Sequence, residues 1–212
     1  MSTRIPRLHL ISDRRLCPLD RFPEVARLAV DAGVDAVHLR EKDLPGRLLV
    51  EAGRALRRAI GGRALLFVNE RVDVALVIGA DGVQLPETGL SPREVREIAG
   101  SRLLIGRSVH DLEGAEQAAA EGADFVIAGN VYETGSKPGQ AGRGLAFVRR
   151  LAERCALAVI AIGGVTPERV PEVLRAGAWG VAVISGILGA ADPGEAAKDY
   201  REALDEVIGG GD

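Results

Sequence analysis

The sequence predicts an α/β fold, a (β/α)8 TIM barrel formed as a single domain over residues 1–212. Three observations predict it. Eight short apolar runs alternate with amphipathic segments along the chain. One helix-to-strand joint recurs four times, as AGVDAVHL, IGADGVQL, EGADFVIA and AGAWGVAV, each with a glycine that stops a helix just before a strand. Hydrophobic residues make up 47% of the chain but aromatics only 3%, so the core is Ala, Val, Leu and Ile, which suits a parallel sheet covered by helices. Parallel strands with right-handed crossovers close naturally at eight units. The alternative, a doubly wound open sheet, needs only about five or six strands.

The elements follow in order. Residues 7–12 (RLHLIS) read as the first strand and 22–32 as the first helix, ended by Gly33. Residues 36–39 are the second strand, and 47–60 the second helix, stopped by Gly61 and Gly62. The third strand spans 64–68, a short helix 71–78 and the fourth strand 82–84. Ser91 caps a helix over 92–99, with Pro92 at its first position. The fifth strand is 103–105, its helix with its stop 111–122, and the sixth strand 125–128. A long glycine-rich loop leads to a helix over 145–155. Strand seven is 158–162, Thr166 and Pro167 open a helix over 167–176, and strand eight is 180–184. Asp192 and Pro193 begin a last helix that runs to about Ile208, and 209–212 form a frayed tail.

Composition excludes several functions. The net charge is −3, mixed along the chain with no basic stripe, and aromatic rings are scarce, so neither nucleic acid nor a membrane surface is an expected partner. No apolar stretch approaches a membrane span and no signal-peptide core is present, which places the protein in the cytoplasm. Cys17 and Cys155 have no CxxC or Cys/His spacing; they read as reduced thiols, not zinc ligands. Ala- and Leu-rich helices are compatible with a homodimer and equally with a monomer.

In such a barrel, chemistry lies at the C-terminal ends of the strands. Gly163 and Gly164 follow strand seven, and Ser185 and Gly186 follow strand eight; glycine turns here let backbone N–H groups approach a phosphate. Strand two ends His38-Leu39-Arg40-Glu41-Lys42-Asp43, where Arg40 and Lys42 read either as an anion grip or as part of a solvated loop with an Arg40–Asp43 bridge. Asn69 ends strand three, placed to hydrogen-bond a heterocycle or to cap the next helix. Gln84 reaches the mouth from strand four, and Ser108 and His110 make a polar pair after strand five. After strand six, Thr134 and Lys137 bracket a glycine-rich turn suited to phosphate. No metal-ligand cluster, nucleophile elbow or glycosidase carboxylate pair is visible.

HLREKD (38–43), VNERVDVAL (68–76), GADGVQLP (79–86), IGRSVH (105–110), GNVYETGSK (129–137), AIGGVTPE (161–168) and GVAVISGI (180–187) fall in order along nearly the whole chain. Together they resemble the thiamine-phosphate synthase superfamily. The resemblance implies one of two activities. A synthase joins hydroxymethylpyrimidine diphosphate to a thiazole phosphate with magnesium held by carboxylates after strands three and four; here those positions are Glu70 and Gly89. The related thiazole tautomerase moves one proton on a carboxythiazole phosphate and needs no metal or cofactor. The phrases QLPET, IGRSVH, YET and GRG, with Gly89 in place of a carboxylate, favour the tautomerase. Its substrate would sit on Gly163, Gly164, Ser185 and Gly186, with Arg40 or Lys137 on the carboxylate. The family's tautomerase histidine corresponds to Asn130, so His110 or Glu41 would move the proton. Arg40, Lys42, Asn69, Ser108, Thr134 and Lys137 match superfamily positions and also suit the synthase. A third reading, prompted by Asn130, is an idle barrel that binds a thiamine-related phosphate as a regulator.

Overall fold

The computed structural model describes residues 5–135 and 139–210. Eight parallel strands close into a barrel in sequence order: β1 (Leu8–Ile11), β2 (Ala36–Leu39), β3 (Leu65–Asn69), β4 (Gly82–Leu85), β5 (Leu104–Val109), β6 (Phe125–Gly129), β7 (Ala158–Ile162) and β8 (Gly180–Val183). Each strand pairs with the next, and β8 returns to β1 through Leu8↔Val181 and Leu10↔Val183. Helices α1 (Phe22–Asp31), α2 (Gly46–Ile60), α3 (Val72–Ile78), α4 (Pro92–Ala99), α5 (Leu112–Ala120), α6 (Gly144–Arg154), α7 (Val170–Arg175), α8 (Ser185–Leu188) and α9 (Pro193–Gly209) surround it. Among the described residues no helix is long and apolar enough to cross a membrane, and Cys17 and Cys155 are free and buried.

Strand alternation splits the apolar residues into two cores. Outward-facing Leu10, Val37, Leu39, Leu66, Val68 and Val83 pack under the helices. Inward-facing Ile11, Phe67, Phe125, Ile127 and Ile160 fill the barrel. Inside, Phe125 meets Phe67 edge-on at 5.5 Å, and His38 stacks on Phe67 at 4.8 Å. Gly82 and Gly106 make room for the rings: a Cβ would stand 2.6 Å from Phe67 Cδ1 at the first position and 2.5 Å from Phe125 Cζ at the second. The outer core explains the helix pattern. In α2, Leu49, Leu56 and Ile60 are buried along one stripe, each worth roughly 1.5–3 kcal/mol of transfer free energy. Gly53 on that stripe admits Ile78 of α3, whose Cδ1 would lie 2.5 Å from an added Cβ. Gly61, at φ +59°, ends the helix.

The recurring joint has a structural purpose. Its glycines, Gly33, Gly79, Gly122 and Gly177, all have positive φ, which closes each helix and turns the chain into the next strand. In three of the four joints the following aspartate ties down the neighbouring strand. Asp35 Oδ2 accepts from the N–H groups of Arg7 (3.0 Å) and Leu8 (2.9 Å), Asp81 Oδ2 from Leu66 (2.7 Å) and Asp124 Oδ2 from Ile105 (2.6 Å). Arg201, Arg57 and Arg96 pair with these carboxylates at 3.3, 2.8 and 2.6 Å. In the fourth joint Trp179 stands instead; its indole N–H donates to Ile5 O at 2.9 Å, and Arg7 lies 3.8 Å from its ring centroid, which joins β8 to β1 underneath. Asp124→Ala removes the acceptor of the Ile105 N–H and the carboxylate partner of Arg96, so its urea midpoint corresponds to a loss of about 1–3 kcal/mol. An unchanged midpoint means the tie carries nothing.

Several expected boundaries change, each for a local reason. The fifth strand was expected at 103–105 but runs through Val109, because Ser108 and Val109 pair with Ile127 and Ala128. Polar residues at the barrel mouth hide the strand pattern there. The helix expected over 167–176 is a 3-10 turn (Pro167–Arg169) followed by α7. Pro171 has no N–H to return to Pro167 O, so a regular helix cannot start at Pro167. Thr166 makes no side-chain cap. Ser91 does: its hydroxyl accepts from Glu94 N at 3.2 Å, and Glu94 accepts from Ser91 N at 2.7 Å. Ser185 opens a short helix that the sequence pattern did not suggest.

Candidate active site

The C-terminal mouth of the barrel holds a cavity of ≈ 350 Å³, built strand by strand. Beyond Leu39 the chain keeps its alternation, so Arg40 and Lys42 line the cavity. Glu41 goes to the other side, a correction to its expected place at the reacting centre. It is buried and accepts from Ser12 Oγ at 2.8 Å, with Arg14 at 3.8 Å. Ser12 Oγ in turn accepts from Arg40 N at 2.8 Å. This clasp fixes the backbone that carries Arg40. Burial raises the Glu41 carboxyl above its ordinary range, against the pull of Ser12 and Arg14. Asp43 pairs with Arg14, which sets aside the Arg40–Asp43 alternative.

Asn69 and Gln84 are cross-strand partners on β3 and β4, and both line the cavity. Gln84 Nε2 donates to Ser108 Oγ at 3.0 Å. Asn69 does not cap α3, which begins after Arg71. Among the described residues, Asn69 Nδ2 and Gln84 Oε1 are buried without a partner. One is a donor and the other an acceptor, and each costs about 1–3 kcal/mol while unmatched. Glu70, the next residue, has φ +50°, a strained position for a side chain with a Cβ, held by its N–H donating to Gln84 O at 3.0 Å.

His110 Nδ1 lies 2.8 Å from Glu87 Oε2, and both side chains reach the cavity wall. Arg107 donates to Leu90 O at 2.8 Å and Glu87 O at 2.9 Å, which anchors the β4 loop beneath them. Asn130 also lines the cavity, but its amide N–H groups donate to Tyr132 O at 3.1 Å and Gln140 O at 3.3 Å. Those bonds tie together the two ends of the loop after β6 while Asn130 keeps its place on the cavity wall. Thr134 lines the cavity from that loop, while Lys137 lies outside the described residues. Tyr132 donates to Glu172, and Arg169 lies 4.3 Å from its ring centroid, so the loop is docked on α7. Burial, with Glu172 adding to it, pushes the Tyr132 hydroxyl up to about 12.

Gly163 and Gly164 have φ +98° and +66°. A Cβ at Gly164 would stand 2.5 Å from Glu133 O, and one at Gly163 2.8 Å from Asn130 Cα. Only glycine lets this loop lie against the β6 loop. Ser185 and Gly186 open α8, where first-turn N–H groups have no acceptor within the helix. Gly164→Ala must displace the β6 loop, so inorganic phosphate binding, measured by calorimetry, weakens at least about tenfold while the far-UV spectrum is kept. Unchanged affinity means the loop does not hold phosphate.

Asp13, Arg15 and Tyr200 are among the cavity residues that escaped the sequence reading. Asp13 and Arg15 follow β1 and pair with each other through Nε (2.9 Å) and Nη2 (2.5 Å), which holds the Asp13 carboxyl below its usual range. The charged run SDRR after the first strand is the signal that was available. Tyr200 of α9 reaches the cavity from behind, and its hydroxyl donates to Val165 O at 2.9 Å. Nothing in the sequence connects it with a loop 35 residues away.

A closed parallel barrel with a polar, cation-bearing cavity at its C-terminal mouth has the construction of a (β/α)8 enzyme. The model of the thiamine monophosphate synthase family matches residues 8–187. The thiamine-phosphate synthase of Pyrococcus furiosus is 40% identical over 204 residues, covering 96% of this chain and 97% of that protein. A putative thiamine-phosphate synthase of Geobacter sulfurreducens is 44% identical over 195 residues, covering 90% and 91%. The solved thiamine phosphate pyrophosphorylase of Pyrococcus furiosus superposes with a TM-score of 0.87 at 39% identity, covering 95% and 96%. A 3-hexulose-6-phosphate synthase at 23% identity and TM-score 0.74 shares the fold. The chain belongs to the thiamine monophosphate synthase family and is an enzyme. These relatives overturn the expectation of a thiazole tautomerase: full-length matches at this identity carry the synthase name. The QLPET and YET phrases are short, and the polar residues in them that line the cavity, Gln84, Glu87 and Thr134, do not by themselves separate the two activities.

Proposed function

We propose that this chain is a thiamine-phosphate synthase, a transferase that couples hydroxymethylpyrimidine diphosphate with thiazole phosphate, working as one barrel domain in the cytoplasm. One observation carries the reading. The same cavity holds two sets of anion-binding groups, Arg40 and Lys42 on one side and the glycine loops after β7 and β8 on the other, together with the unmatched donor and acceptor of Asn69 and Gln84. Two anionic substrates, one carrying an amino-heterocycle, satisfy that inventory.

In the reaction, the bond from the pyrimidine's methylene carbon to the diphosphate oxygen breaks, and the electron pair leaves with diphosphate. The thiazole nitrogen supplies the pair for the new carbon–nitrogen bond. Arg40 and Lys42 meet the charge that grows on the leaving group. Asn69 and Gln84 orient the heterocycle, and the loops of Gly163, Gly164, Ser185 and Gly186 hold the thiazole phosphate. His110 and Glu87 form a wall, and no proton transfer is needed from them.

The family resemblance implies magnesium. Gly89 offers no ligand, and among the described residues no group of three His, Cys, Asp or Glu is placed for a metal. Magnesium needs only one or two carboxylates when phosphate oxygens and water complete its octahedron. Glu87 at the cavity wall fits that smaller demand, with Glu70 on the adjacent loop. When bound, the ion would offset charge on the diphosphate. The purified protein should form thiamine phosphate from the two substrates, detected by mass spectrometry, and lose the activity in chelator. No product at high enzyme concentration sinks the proposal.

A further inference from the structure

Two histidines, His9 and His38, are fully buried inside the barrel and belong to no step above. His9 Nε2 lies 3.0 Å from Pro6 O, at the N-terminal end of β1. A carbonyl oxygen only accepts, so this nitrogen carries the proton. His9 Nδ1 is then a lone pair, and it lies 2.9 Å from His38 Nε2. The His38 proton must sit on Nε2, since the other tautomer would set two lone pairs face to face. His38 Nδ1 is left as an acceptor, and it is buried with no partner among the described residues. Burial holds the His9 imidazole down at about 4 and that of His38 well below its ordinary value, so both rings are neutral near pH 7.

The chain of bonds climbs from the bottom of the barrel toward the site. His9 is level with Ala36, and His38 is level with Ile11, which lines the cavity. Phe67 lies flat against the His38 ring at 4.8 Å with an interplanar angle of 11°, which fixes its plane. Asn69 stands two residues beyond Phe67 on the same face of β3.

We infer that His9 is a positioning residue that locks His38 in its Nε2–H tautomer, so that His38 Nδ1 is presented as an acceptor to an N–H of the amino-heterocycle bound against Asn69 and Gln84. The inference rests on the synthase reading for the identity of the ligand, but the tautomer does not. A carbonyl at the bottom of the barrel sets the direction of every hydrogen bond above it. The ligand thereby meets two acceptors, Gln84 Oε1 and His38 Nδ1, and one donor, Asn69 Nδ2, which is a pattern for an amino group beside a ring nitrogen.

The test is nitrogen-15 NMR of the histidine rings in the full chain, with the free pyrimidine alcohol as probe. The free protein shows His38 as a single Nε2–H tautomer, and its Nδ1 resonance moves on titration with the probe. His9→Leu mixes the two His38 tautomers and raises KM for the pyrimidine diphosphate about tenfold, the scale of one hydrogen bond, without changing KM for thiazole phosphate. His9→Gln, which keeps an acceptor, stays nearer to wild type. A proton on His38 Nδ1 in the wild type overturns the inference. So does an Nδ1 resonance indifferent to the probe, or a His9→Leu protein with unaltered tautomer and KM. If His9→Leu does not fold, the two wild-type measurements decide alone. If the wild type makes no thiamine phosphate, the synthase reading fails, and the tautomer result still stands or falls by itself.

Discussion

Arg40→Ala lowers kcat/KM for the pyrimidine diphosphate on the order of 10²–10³-fold, the scale of removing one preorganised donor from a developing anion. Among the described residues Arg40 makes no ion pair: Asp43 is held by Arg14, and Glu41 by Ser12. Its backbone N–H is fixed by Ser12 Oγ, which holds the chain that carries the guanidinium at the cavity. Arg40→Lys recovers only part of the loss, because an ammonium cannot present the planar pair of N–H groups that matches phosphate oxygens. Thiazole phosphate affinity, measured separately by calorimetry, stays near wild type, since the proposed function assigns that substrate to the glycine loops. Steady-state kinetics with each substrate varied in turn make the check. Equal losses for both substrates would mean that Arg40 supports the fold and not one subsite.

The second large effect is loss of stability in mild acid. In the unfolded chain His9 takes a proton near its ordinary 6.5, whereas in the barrel burial delays this to about pH 4. Between these values the unfolded state binds more protons than the folded one. The His9 contribution is therefore complete above pH 6.5, falls as the pH drops through the window, and levels off below about 4. A gap of that size corresponds to about 3 kcal/mol from His9, and His38 acts in the same direction. Urea unfolding at pH 7.5 and pH 4.5 measures it. His9→Gln removes the ionisable ring and flattens the dependence across that window. Matching slopes in wild type and variant reject the assignment. Asp13 contributes a separate loss at lower pH, where its carboxyl, held down by Arg15, becomes protonated.

The legibility of the fold followed from periodicity. Eight short apolar runs between amphipathic segments and a glycine at four recurring helix-to-strand joints pointed to parallel strands and helices, and the positive φ at Gly33, Gly79, Gly122 and Gly177 is the physical reason those positions hold glycine. Periodicity failed where function interrupts it. The end of β5 is written Gly-Arg-Ser-Val, too polar to read as strand, because its inward residues line the cavity and not the core. The helix after β7 broke at Pro171 for want of one N–H.

The candidate site was legible as far as chain order carries it. A residue directly after a strand faces the mouth, so Arg40, Lys42, Asn69, Gln84, Ser108 and the glycine pairs reach the cavity from position alone. Direction and partnership were not legible. Glu41 stands between two cavity cations and points away to Ser12, and Asn130 lines the cavity while its amide ties down a loop. Tyr200 and the His9–His38 pair join positions 35 and 29 residues apart, and only closure of the barrel brings them together.

The sequence by itself determined the eightfold alternation, the mouth as the place of chemistry and the membership of a thiamine-related family, because these depend on local pattern and on ordered motifs. The tertiary structure decided which side chains are committed to one another and which are left unmatched for a ligand. The reason is that a hydrogen bond depends on distances between strands, and a chain read one residue at a time contains no such distances.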